Sequence, residues 1–304
     1  MKGDDKHGPG QPAHRIATEL SPDTSTGPNG PKATVCAPLE ISVQRGVEIG
    51  LPFLDESQEP MAARLRAFGI SPELHPDLRS DELITMAQVI TAEDGGSLRT
   101  FSGGLRHECG WFPSYTAHRL QHWEGISALN FLVESECNLR VSRRQSEGIR
   151  FRFFVDGKWR TYTADMDMTV EGVRHIVEIK SRENWVGTDE YRLVLAAVAE
   201  ICRRCGWVFR LVLGTEIFAN RHHRDNCEMF ASRRFVRVSE RVMDRLEGFA
   251  IKRGDETIYG ELAEALAPGC SPLGEALIQA LTIRQRIEID LTARVYHRSP
   301  LRIL

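Results

Sequence analysis

Asp165, Glu178 and Lys180 sit at a spacing that one hairpin can bring together. Glu171-Gly172 lies between them and reads as a two-residue turn. With that turn Val170 opposes Val173, and counting outward sets Asp165 directly opposite Glu178. Side chains alternate with period two, so Lys180 shares the face of Glu178. Directly opposed Cβ atoms are about 4.5–5.5 Å apart. The hairpin thus gathers two carboxylates and one ammonium.

Opposed like charges repel unless a cation lies between them or one is protonated. Paired carboxylates suit a hard ion such as Mg²⁺, with Mn²⁺ as a second candidate. A metal-bound water beside an ammonium is a route to phosphodiester hydrolysis. The lysine is informative, because only six of the 39 basic residues are lysine. A compact ammonium that can shift its pKa suits water activation in a way guanidinium does not. The same three residues also describe an ordinary solvated face. A one-residue slip would separate Glu178 and Lys180 from Asp165, and Asp167 is the rival carboxylate on the Asp165 face.

The elements that must position these residues follow from periodicity. Ile149–Val155 alternates as a strand, with Ile149, Phe151, Phe153 and Val155 on one face, and Asp156-Gly157 is a strong hairpin turn. A second strand is expected from Lys158 to about Val170, and a third over Val173–Lys180. Asp189–Cys205 reads as a helix capped by Thr188 or Asp189 and ended by Gly206. Trp207–Leu213 alternates as a further strand. Upstream, Ala117–Glu134 reads as a helix with Leu120, Glu124, Ala128 and Phe131 on one face, which turns Glu124 toward the core. The expected class is α/β.

Four regions are expected. Residues 1–34 are rich in Gly, Pro and polar residues and read as a disordered tail. Residues 35–105 form an accessory region with short helices at Ala62–Phe68 and Asp81–Ile90. Residues 106–237 carry the chemistry. Residues 238–304 contain helices at Ser239–Phe249, at Thr257–Leu266 and from Ser271-Pro272, then a small hairpin of Ile287–Leu291 and Val295–Ile303. That pattern resembles a winged-helix domain, and a generic helical cap fits it as well.

The net charge of −3 over 304 residues excludes a polycation and confines any basic surface to a patch. No apolar run is long enough to span a bilayer and no signal peptide is evident, so a cytoplasmic protein without a membrane partner is expected. Seven scattered cysteines suggest reduced thiols. Cys202-x-x-Cys205 with His222, His223 and Cys227 offers a loose zinc set, but both cysteines fall on an apolar helical stripe. Arg143, Arg144, Gln145, Arg150 and Arg152 form a candidate DNA-binding stretch just before the acidic hairpin. Arg221, Arg224, Arg233, Arg234 and Arg237 form a second basic stretch. Trp111, Trp123 and Trp207 are expected in the core.

Asp165 followed by Glu178-Ile-Lys180, with Glu124 upstream, resembles the PD-(D/E)XK nuclease superfamily, and within it the TnsA-type transposon endonucleases. Gly110-Trp-Phe-Pro-Ser114 and His122-Trp-Glu124 resemble that family's entry into its first helix. Arg144-Gln145, Tyr162-Thr-Ala-Asp165, Gly206-Trp207-Val-Phe209, Thr215-Glu216 and Asn226 resemble its later motifs. The likeness runs from about Gly110 to Phe235. It implies a restriction-endonuclease-like mixed sheet flanked by helices. It implies a Mg²⁺-dependent DNA endonuclease in which Asp165, Glu178 and Glu124 ligate metal, the Ile179 carbonyl lies nearby and Lys180 orients or activates water. Double-stranded DNA, a transposase and an AAA+ ATPase regulator are the implied partners. The chain departs from the pattern at Ala128, where a second helix glutamate is usual, and at Ser146, where proline follows the glutamine. A stand-alone nuclease in repair, recombination or defence, or a non-cutting DNA-binding subunit of the same fold, are the alternative readings.

Overall fold

The computed structural model describes residues 59–70, 73, 78, 83, 85–92, 96–99, 108–182 and 186–304, together with the backbone of 33–35. The tail expectation therefore falls mostly outside the described residues. Its last two positions belong to a strand, β1 (Ala33–Val35), which pairs with β2 (Gln88–Ala92). Helix α1 (Glu59–Ala67) covers most of the first expected short helix. The second, Asp81–Ile90, overran. Its C-terminal part is β2, because the β-branched run Val89-Ile90-Thr91 pairs with the next sheet strand. Residues 35–105 thus contribute a strand to the sheet of the following region.

The expected hairpin strands appear with their turns. β6 (Ile149–Val155) and β7 (Lys158–Thr163) are joined by Asp156 and Gly157, whose φ values of 52° and 67° are the left-handed pair such a turn requires. Ile149, Phe151, Phe153 and Val155 are all buried, as their alternation requires. β8 (Met166–Val170) and β9 (Val173–Lys180) are joined by Glu171 and Gly172, at φ 49° and 82°. Val170 pairs with Val173 and Met166 with Val177, the register read from the turn.

The expected single strand from Lys158 to Val170 is broken. β7 belongs to the sheet ordered β1-β2-β6-β7, and β8 to a second sheet in which β8 and β9 lie between the strands Val141–Ser146 and Val208–Leu213. The break is a shared corner. β5 (Val141–Ser146) runs into β6 through Glu147-Gly148, opposite Ala164-Asp165. Arg150 pairs with Thr163 and Ser146 with Met166, four steps on one strand against three on the other. That extra residue is a β-bulge, which bends the strand and re-aims side chains. Glu147 takes the left-handed φ of 49°. Gly148 follows it, and a Cβ there would meet Gln145 side-chain atoms at 2.4–2.6 Å, so a larger residue would have to displace that side chain.

Strand β10 (Val208–Leu213) lies parallel to β9, reached through helix α3 (Asp189–Arg204). Thr188 caps α3 by accepting from the Tyr191 N–H at 3.2 Å, and Gly206 ends the turn at φ 71°. Val194, Val198, Ile201 and Cys202 of α3 pack with Ile176, Phe209 and Leu211 in one apolar core. Met166, Met168, Val177, Ile179 and Val212 belong to the other core, with α2 (Ile126–Cys137) and α4 (Arg221–Ser232).

The expected helix Ala117–Glu134 is half strand. Cys109–Ser114 (β3) and Arg119–Glu124 (β4) form a two-stranded ribbon, and α2 starts only after Gly125, at φ 82°. Leu120 and Trp111 lie on the same ribbon face and are both exposed, so neither is a core residue as the sequence suggested.

The C-terminal segment joins the second core. It comprises α5 (Glu240–Arg253), β11 (Glu256–Ile258), α6 (Tyr259–Leu266), α7 (Ser271–Ile283), β12 (Ile287–Ile289) and β13 (Pro300–Ile303), with the strands ordered β11-β13-β12. Gly274 lets α7 approach α6, since a Cβ there would meet Ala263 O at 2.2 Å. Overall the chain is a mixed α/β fold. No helix among the described residues is long and apolar enough to cross a membrane.

Candidate active site at the corner of two sheets

Asp165 stands just outside the β8 ladder, opposite the bulge. Its backbone oxygen accepts from the Glu147 N–H at 3.0 Å, and its Oδ2 accepts from the Ile179 N–H at 2.8 Å. The side chain thus satisfies a donor that strand pairing leaves over. Among the described residues no group donates to Oδ1.

Glu178 is buried on the α3 side of the sheet. Tyr162 donates to its Oε2 and Tyr191 to its Oε1, each at 2.5 Å, and Lys180 Nζ lies 2.5 Å from Oε1. The Lys180 ammonium also sits 5.0 Å from the centre of the Tyr191 ring. Tyr162 comes from β7 in one sheet and Tyr191 from the first turn of α3. Tyr191 was not read from the sequence. The only cue would have been its place three residues after the Thr188 cap, which turns it toward the sheet end.

These contacts set the charges. Burial, and then the neighbouring Glu178, push Asp165 up to about 7, against the pull of Lys180, the Ile179 N–H and Arg99. Burial also opposes ionisation of Glu178, but the Lys180 charge and the hydrogen bonds from Lys180, Tyr162 and Tyr191 outweigh it and hold its carboxyl below the usual range. Burial lowers Lys180, yet Glu178 and Asp165 leave its pKa above the ordinary lysine value. The two tyrosine hydroxyls are lifted well above theirs, chiefly by burial. Lys180 is therefore a fixed cation. Lys180, expected to orient or activate water, is held as an ammonium against Glu178.

The placement of Glu124 on a core-facing helix is corrected. The residue ends strand β4 rather than lying on a helix, and its side chain is 43% exposed, 3.6 Å from Arg99 Nη1. Its ribbon face also carries His122, whose Nδ1 lies 2.9 Å from Glu147 Oε2. Glu147 was missed by sequence reasoning. It is buried, accepts from Ser97 Oγ at 2.8 Å and lies 3.3 Å from Arg99 Nη1.

The rival Asp167 belongs elsewhere. It is buried and held by Arg143 at 3.0 Å and by Arg174 at 2.9 and 2.8 Å. The proposed DNA-binding stretch is divided likewise. Arg144 is fully buried against Glu136, whose carboxylate also binds Ser114, Tyr115 and Thr116, so it faces no external phosphate. Gln145 is buried and donates to Gly96 O at 2.9 Å. Arg150 donates to Thr163 and to Leu98 O, and Arg152 stacks over Trp159 at 4.7 Å. Of the five, Arg143 is the most open, with half its side chain exposed. In the second basic stretch, Arg234 is tied to Pro113 O and the Phe112 ring.

Among the described residues no group of three or more His, Cys, Asp or Glu is placed to hold a metal ion. Cys202 and Cys227 lie in different cores, which removes the zinc set. Two carboxylates remain, one with an oxygen that no described group donates to and a proton affinity raised by burial and then by Glu178. That donor set is hard oxygen and fits an ion that takes one or two carboxylates and keeps its waters, as Mg²⁺ does. Comparison with protein-family models and with curated proteins finds no match for this chain.

Proposed function

We propose that the chain is a Mg²⁺-dependent DNA endonuclease with a restriction-endonuclease-like core and a winged-helix-like C-terminal segment, cutting one strand at transposon ends together with a partner transposase and an AAA+ ATPase. The observation that carries this reading is the convergence of Asp165, Glu178 and Lys180 at the corner of two sheets. Asp165 and Glu178 would hold the metal. When bound, such an ion polarises a phosphoryl oxygen and lowers the pKa of its water. Tyr162 and Tyr191 fix the Glu178 rotamer, and the Lys180 cation offsets negative charge gathered at the site. The order β11-β13-β12 beside three helices supports the winged-helix reading of the C-terminal segment.

A second reading is a DNA-binding subunit that does not cut. It is favoured by Glu124, which faces Arg99 from the end of a strand, with Ala128 on the following helix where a carboxylate would stand. One assay separates the two. Supercoiled plasmid is incubated with Mg²⁺ or Mn²⁺ and wild type, Asp165→Ala or Lys180→Ala, with and without co-expressed transposase. Metal-dependent nicking lost in both variants supports the nuclease, and nicking only with transposase supports the transposon role. DNA binding without cleavage under every condition supports the second reading.

A further inference from the structure

Arg99 occupies a position that the proposed chemistry leaves unexplained. It lies on a short strap, residues 96–99, sewn to the bulge. Gln145 Nε2 donates to Gly96 O at 2.9 Å, Ser97 Oγ to Glu147 Oε2 at 2.8 Å and Leu98 N to Glu147 O at 2.9 Å, and Arg150 donates to Leu98 O. This anchoring delivers the Arg99 guanidinium between Glu147, at 3.3 Å, and Glu124, at 3.6 Å. Burial works against its charge, but Asp165, Glu147, Glu124 and Glu178 together hold its pKa above the ordinary arginine value. The guanidinium thus contacts two carboxylates directly, and the Glu147 N–H in turn donates to Asp165 O at 3.0 Å, which places the cation next to the residue proposed as a metal ligand.

We infer that Arg99 is a resident counter-ion of the acidic corner, seated by Glu147 and Glu124, and that it competes with a divalent cation for that corner. The inference rests on the metal-dependent reading. Cations that share one set of carboxylates raise each other's cost. The bulge then has two roles. It turns Asp165 toward the site, and through Glu147 it holds the cation that compensates Asp165 when no metal is bound. Metal entry releases Arg99 from that balance. Nearly half of its side chain stays exposed while its guanidinium packs against Glu147 and Glu124.

The test is metal binding by the full chain, read without cleavage. Thermal unfolding is followed at pH 8 over a Mg²⁺ and a Mn²⁺ titration for wild type, Arg99→Ala, Arg99→Lys and the double variant Arg99→Ala/Asp165→Asn. The apparent Kd comes from the rise in Tm. Arg99→Ala is expected to bind about tenfold tighter than wild type, the effect of removing one close like charge. Arg99→Lys, which keeps the charge, should stay nearer wild type. The double variant should lose the gain, which places the ion at the corner. Equal or weaker binding by Arg99→Ala, or no binding by any variant, overturns the inference. Failure of the nuclease reading looks different: Arg99→Ala binds metal tighter, yet neither it nor wild type cleaves DNA with transposase present.

Discussion

Asp165 and Ile179 are joined by a side-chain bond where the strand ladder between β8 and β9 ends: the Ile179 N–H, two residues beyond Val177, donates at 2.8 Å to Oδ2 of Asp165, which lies next to Met166. The bond orients the carboxylate and leaves its second oxygen without a donor among the described residues. It is also the reason Asn is the informative replacement at this position, since an amide oxygen can keep the bond while losing the charge.

Asp165→Asn is expected to abolish metal-dependent nicking while leaving the fold intact. The stability effect has a defined sign. The folded-state pKa of Asp165 is about 7 against an ordinary value of 3.8, so its contribution is full below about pH 4 and is lost as pH rises through 7. Wild type should therefore fall behind the Asn variant as pH rises from 5 to 8, by at most about 3 kcal/mol, the loss over the two units up to pH 7 at about 1.36 kcal/mol per unit. Calorimetric Tm values across that range, in chelator, would read it. A gap that widens as pH falls would contradict the placement of this carboxylate.

Tyr191→Phe removes one of two hydroxyl donors to the buried Glu178. The expected cost is about 1–3 kcal/mol in urea unfolding at pH 7. Glu178 is held below the usual carboxylate range, so its stabilisation is present above that range and lost as pH falls through the folded value. Losing a donor raises that value. Acid unfolding of the variant should begin at higher pH than in wild type.

Glu136→Ala should be among the most damaging single changes in the chain. Its carboxylate is fully buried, pairs with the equally buried Arg144 and closes the β3–β4 turn through Ser114, Tyr115 and Thr116. Leaving Arg144 charged and alone costs about 3–5 kcal/mol. Glu136→Leu combined with Arg144→Met should lose much less in the same urea experiment, because the unpaired charge is gone.

Asn226→Ala tests how the C-terminal segment is held. From α4, Asn226 Nδ2 donates to Leu291 O at 2.8 Å and to Ala293 O at 2.7 Å, pinning the chain between β12 and β13. The variant should lose about 1–3 kcal/mol. Amide exchange should accelerate over residues 290–296 and remain unchanged in β6 and β9. Uniform acceleration across the chain would mean that Asn226 supports global stability instead.

Local chemistry made part of this protein legible from residues alone. Asp156-Gly157 and Glu171-Gly172 supply left-handed turns at fixed positions. Each turn sets its register, so β6, β9 and the ladder from Val170–Val173 to Met166–Val177, one residue short of Asp165 and Glu178, followed from counting. Thr188 and Gly206 bound α3 in the same local way. Local pattern failed where two structures share a spacing. Leu120, Ala128 and Phe131 fit one helix on paper, yet Gly125 at φ 82° divides a strand from a helix and moves Glu124 out of the core. Tertiary structure alone decided the rest, because the partners are far apart in the chain. Arg144 looked like a DNA-facing arginine until Glu136 buried it, and Asp167 looked like a ligand until Arg143 and Arg174 enclosed it. The bulge at Glu147 exists only when two sheets meet at a corner, and with it came the aim of Asp165 and the seat of Arg99. A turn is an energy minimum of a few adjacent residues, whereas a charge site depends on the burial and the long-range neighbours that only the folded chain provides.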